Sequence, residues 1–176
     1  MNQIEYKTGE EYDYIFLFNL TQAFVDTIRS LGGNNAQRLL LISGAKSNLE
    51  SSLPFIYKMP VDPSNKTAIS IHYYFPLQFA LVPEDNPGSY TDISSGYVFH
   101  FKPMENWGSE SDYKEMINYF ENMKKDYIDN GIPVVISQVG VLTEQQKEHS
   151  SIREYLNAVF SLASNYDGVM SCLWDT

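Results

Sequence analysis

Residues 133–140 read Pro-Val-Val-Ile-Ser-Gln-Val-Gly. Val134, Val135 and Ile136 form a short, β-branched apolar run. Gly131 and Pro133 punctuate it on one side and Gly140 on the other. The run is continuous rather than alternating, which predicts a strand covered on both faces, as in a parallel sheet. Helical patterns flank it. Before it, Tyr113, Met116, Ile117, Phe120, Met123 and Tyr127 recur at spacings of three and four, predicting a helix over 112–130. After it, Ile152, Tyr155, Leu156, Val159, Phe160 and Leu162 predict a helix over 143–166, with Thr143 to Gln146 as a capping box at its start. A buried strand between two amphipathic helices is the repeating unit of parallel α/β folds.

The same pattern extends outward. Tyr14, Leu17, Phe18, Leu20, Phe24, Val25 and Ile28 predict a helix over 10–31, stopped by Gly32-Gly33. RLLLIS at 38–43 and AISIHYY at 68–74 predict two further strands, and GVMSCLW at 168–174 a last one. Residues 75–111 carry four prolines and three glycines and predict one long loop. No Gly-rich loop opens a helix, so a bound dinucleotide or P-loop nucleotide has no support.

Composition narrows the function classes. The 176 residues carry a net charge of −10, which argues against nucleic acid as a partner. They are read as a single domain, 1–176. The single cysteine, Cys172, cannot form an internal disulfide and is expected to be buried and inert. No apolar run reaches 18 residues, so no membrane span is expected. MNQIEYKTGEEY at the start has no apolar signal region. His72, His100 and His149 lack metal-ligand spacing, and neither metal nor cofactor is expected. Aromatic residues make up 14% of the chain, which fits a bulky core or a face that stacks on sugars.

Functional residues of parallel α/β folds gather where the strands end at their C-termini. Those ends carry Ser43-Gly44, His72-Tyr73-Tyr74, Gln138-Val139-Gly140 and Trp174-Asp175. A His, a Tyr, an amide and a Trp at successive ends make the polar and aromatic mixture that holds a sugar ring.

These motifs resemble glycoside hydrolase family 5, chiefly its endo-β-1,4-glucanases. Phe24 to Asn35 is similar to a helix-to-strand segment of that family. His72-Tyr73-Tyr74-Phe75-Pro76 is similar to its H-x-Y signature. Pro133 to Gly140 is similar to its P-V-V-I-G-E-F-G strand, which carries the nucleophile. Ser171 to Asp175 is similar to its final strand, and Met1-Asn2-Gln3 to its M-N-E, which carries the general acid/base.

The resemblance implies part of a (β/α)8 barrel, from the end of strand four through strand eight. A whole barrel takes about 250 residues. It also implies a β-glucan or cello-oligosaccharide ligand held by Asn2, His72, Tyr74, Trp107 and Trp174, and secretion. One departure bears on activity: the acid/base position is Gln3 and the nucleophile position is Gln138. Retaining hydrolysis needs two carboxyl groups about 5–5.5 Å apart. An amide neither titrates near neutral pH nor attacks an anomeric carbon. The expectation is a catalytically silent, sugar-binding half-barrel. The alternatives are a truncated or engineered piece that forms homo-oligomers or joins a complementary half, and residual glycosidase activity through a loop acid such as Asp85, Asp92, Glu105 or Glu110.

Overall fold

The computed structural model describes residues 11–49, 52, 58–82, 89–91, 98–100, 103–143 and 147–174. In chain order its main elements are α1 (Glu11–Ser30), β1 (Leu40–Ser43), β2 (Thr67–Tyr73), α2 (Leu77–Ala80), β3 (Ser89–Thr91), β4 (Val98–His100), α3 (Glu110–Asp126), β5 (Val134–Val139), α4 (His149–Ser164) and β6 (Val169–Leu173). The apolar runs pair into one parallel sheet of order β1-β2-β5-β6. The crossovers from β2 to β5 and from β5 to β6 carry α3 and α4. The expected α/β fold is therefore present, with half the strand number of a (β/α)8 barrel. No helix among the described residues is long and apolar enough to cross a membrane.

One face of the sheet is packed. Leu40, Ile42, Ile69, Ile71, Tyr73, Val134, Ile136 and Val139 are all buried, as are Met116, Phe120 and Met123 of α3 and Tyr155, Val159 and Ala163 of α4. Together they form one apolar cluster. Its centre is aromatic. Tyr155 lies 5.4 Å from Phe79, 5.3 Å from Trp107 and 6.4 Å from Tyr73, ring centre to ring centre. Much of the aromatic content thus belongs to the core.

The opposite face is bare at its margins, where Leu41 is 46% and Met170 is 55% exposed, whereas Ala68 and Val135 at its centre are buried. Phe16, Leu20 and Phe24, spaced four apart on α1, are exposed as well. Cys172 is half-buried, not buried as expected, because β6 is an edge strand.

Local chemistry moved several boundaries. The helix expected from Thr143 starts at His149; its N-cap is Glu148, and no side chain caps it. Residues 144–146 of the expected capping box lie outside the described residues. The capping box forms instead at Ser109 and Asp112, which opens α3 two residues early. The expected long loop holds a one-turn helix, α2, and an antiparallel hairpin pairing Ser89 with His100 and Thr91 with Val98.

Asp62 ties the end of α1 to the turn before β2. It accepts from Arg29 Nε at 2.8 Å and Nη2 at 2.9 Å, and from the Ser64 and Lys66 backbone amides at 3.1 and 2.8 Å. The Arg29 guanidinium, with those amides, holds the Asp62 carboxyl far below its ordinary range. A depressed carboxylate contributes stability that is fully present above the ordinary aspartate value of about 4 and is lost as pH falls below it. Asp62→Asn is expected to lower Tm at pH 7. It should also flatten the loss of Tm between pH 5 and pH 3 relative to the parent, as read by circular dichroism.

Candidate active site

Strand alternation places every second side chain on one face. In β5, Val134 and Ile136 lie on the helix-covered face, so position 138 would follow them there. It does not, because β5 contains one extra residue. Ile71 pairs with Ile136 and the next residue, His72, pairs with Gln138. On the other side Ile136 pairs with Ser171, and Val139 pairs with Leu173 only two residues further on. Ser137 is the surplus in both registers, a β-bulge. Gln138 therefore shares the bare face with His72, while Val139 returns to the core.

The bulge is held by hydroxyls. Ser70 Oγ donates to Ser137 Oγ at 2.8 Å, and Ser137 Oγ donates to the Ile71 carbonyl at 3.2 Å. Beyond the end of β2, Tyr74 Oη donates to Gln138 Oε1 at 3.1 Å. The His72 ring meets the Tyr74 ring edge-on at 6.4 Å. Burial lowers the His72 pKa and raises that of the Tyr74 phenol. Both are neutral at pH 7, and both can exchange hydrogen bonds with hydroxyl groups.

Trp174 closes the row. Its backbone N–H donates to the Val139 carbonyl at 2.8 Å, which sets it beside Gln138, and 48% of the residue is exposed. This approach needs a glycine next door. A Cβ built on Gly140 would stand 2.5 Å from the Trp174 carbonyl oxygen.

The structure thus gathers His72, Tyr74, Gln138 and Trp174 at neighbouring strand ends. Asn2 and Gln3 lie outside the described residues, as do the loop acids Asp85 and Asp92. Glu105 and Glu110 are exposed, Glu110 in the first turn of α3. Trp107 corrects an expectation. It is 4% exposed, its ring packs on Tyr113 at 4.7 Å and on Tyr155, and its backbone is gripped by the Ser151 hydroxyl. It belongs to the helix layer, with no ring face left for a sugar.

The profile of the cellulase family, glycosyl hydrolase family 5, matches residues 5–176. The chain belongs to this family. Endoglucanase 1 of Ruminococcus albus is 33% identical over 156 residues, covering 87% of this chain and 32% of that protein. Endoglucanase A of Ruminococcus albus is 26% identical and covers 97% of this chain and 42% of its own length. A broad specificity endoglucanase from an uncultured bovine rumen ciliate superposes with a TM-score of 0.87 at 56% identity, over 97% of this chain and 48% of that one. A family 5 lichenase from a Caldicellulosiruptor species, a Glu-to-Gln mutant in complex with cellotetraose, superposes with a TM-score of 0.78 at 29% identity, over 94% of this chain and 41% of that one. The family 5 chain thus spans less than half the length of these relatives.

Sequence reasoning missed Ser70, Ser137 and Gly140 as positioning residues. A glycine after a strand signals close approach, but nothing along one strand reveals a register shift against its neighbours. Gly140→Ala is expected to push the Trp174 carbonyl away. The change should destabilise the fold by about 1–3 kcal/mol, the usual range for overpacking. Denaturant unfolding and the emission maximum of Trp174 together check it.

Proposed function

We propose that this chain is a catalytically silent, β-1,4-glucan-binding portion of a family 5 barrel. The observation that carries this reading is the amide at position 138, which accepts the Tyr74 hydroxyl at the strand end where the motif resemblance puts the family's nucleophile. The amide keeps the shape and hydrogen bonding of a carboxyl group but carries no charge. It offers no anionic oxygen to form a glycosyl-enzyme bond. The same exchange at position 3 removes the group that would protonate the leaving oxygen. Removing members of such a unit costs roughly 10⁴–10⁶ in kcat. Binding does not depend on the carboxylates. His72 and Gln138 offer hydrogen bonds to hydroxyls, and the exposed Trp174 ring offers a stacking face. The cellotetraose complex of a relative's Glu-to-Gln mutant supports binding without hydrolysis.

Calorimetry with cellohexaose is expected to show saturable binding, lost on Trp174→Ala, with no release of shorter sugars on prolonged incubation. Absence of heat at millimolar sugar overturns the binding claim. Hydrolysis by the unaltered chain would favour a loop acid instead. Restoring both carboxylates, Gln3→Glu with Gln138→Glu, is expected to raise release from carboxymethylcellulose above that of the parent.

A second reading concerns assembly, and it is favoured by the bare sheet face and the exposed Phe16, Leu20 and Phe24 of α1. A half-barrel leaves two sheet edges, which a closed barrel abolishes. A complementary half, or a second copy, would cover both. Sedimentation of the isolated chain is expected to show concentration-dependent association, whereas a monomer at all concentrations with sharp thermal unfolding counts against it.

A further inference from the structure

Strand alternation sends His72 and Tyr74 to the bare face and Tyr73 to the helix-covered one. Phe75, next in sequence, emerges on the outside beside α3 and remains 47% exposed. Its ring lies 6.4 Å from that of Tyr119, the two planes within 27° of each other. Tyr119 is fixed from behind by the edge of the buried Tyr73 ring, 4.7 Å away. The pair borders a groove of ≈ 290 Å³ that Asn118 and Asn122 also line. This is just below the range of ligand pockets, about 300 to 1,000 Å³, and fits a single sugar ring rather than a buried oligosaccharide.

The polar rim follows helical spacing. Glu115, Asn118 and Asn122 lie three and four residues apart, on the same stripe of α3 as Tyr119. All three are exposed. Asp112 also lines the groove, but its carboxylate is engaged in the capping box. Glu115, Asn118 and Asn122 can therefore offer their amide and carboxylate groups to a ligand.

We infer that this groove is a second β-glucan-binding site, on the outer surface and separate from the strand-end row. A pyranose ring presents C–H groups on its faces and hydroxyls around its rim. The exposed Phe75 ring, backed by the near-parallel Tyr119 ring, offers the stacking surface, and Asn118, Asn122 and Glu115 offer donors and acceptors for the hydroxyls. Tyr119 is already held by Tyr73, so little side-chain freedom is lost when a sugar docks. The ligand class rests on the proposed function; the location does not.

The experiment is a titration of ¹⁵N-labelled full chain with cellohexaose. The side-chain amides of Asn118 and Asn122 report the groove, the Trp174 indole reports the strand-end row, and the buried Trp107 indole serves as a control. Saturable movement of both Asn amides is expected. Their Kd should weaken roughly three- to tenfold in Phe75→Ala, the scale of one aromatic contact. Asn122→Ala, an exposed helix position that the core does not need, should weaken binding as read at Asn118. Static Asn118 and Asn122 resonances overturn the inference, whether or not Trp174 responds. So does movement that neither substitution weakens. Movement at Asn118 and Asn122 with a static Trp174 upholds this site while overturning the proposed one.

Discussion

Position 138 faces the bare side of the sheet because β5 carries one residue more than its neighbours between Ile136 and Val139. Without the extra residue, period-two alternation would send Gln138 into the apolar layer under α3 and α4. A buried, unpartnered amide there would cost a few kcal/mol. With it, Gln138 stands opposite His72 and within reach of Tyr74, and Val139 takes the core position. The Ser70–Ser137–Ile71 hydrogen-bond chain ties the bulge to β2, so the strand that aims the site is fixed by the strand that completes it.

The two sides of the sheet divide the labour. The helix-covered side holds the aromatic cluster of Tyr73, Phe79, Trp107, Phe120 and Tyr155, which supplies the buried area that a half-barrel needs. The bare side carries the polar strand-end row. Trp107 and Trp174 illustrate the division. Both are tryptophans in or beside loops, yet one is sealed between α3 and α4 and the other stands at a strand end, held by Val139 and admitted by Gly140. Aromatic content alone cannot separate a core from a sugar-stacking face, since the same ring serves both.

Among the described residues, the row of His72, Tyr74, Gln138 and Trp174 carries no charged side chain at neutral pH. A carboxylate at position 138 would turn the Tyr74 contact into a charge-assisted hydrogen bond and would place a negative charge beside a half-buried imidazole. The amide leaves Tyr74 and His72 both uncharged at neutral pH, with burial favouring those forms.

The sequence by itself determined the alternation of helices and apolar strands, the parallel sheet and the family. Each of these is written in local periodicity or in a contiguous motif, which is where a single chain carries its information. The tertiary structure alone decided the face on which Gln138 lies, the burial of Trp107, the start of α4 at His149 and the exposure of Phe75. These depend on register between strands and on what packs across the sheet. A one-residue shift against a neighbour reverses a side chain's direction while leaving the pattern along its own strand unchanged.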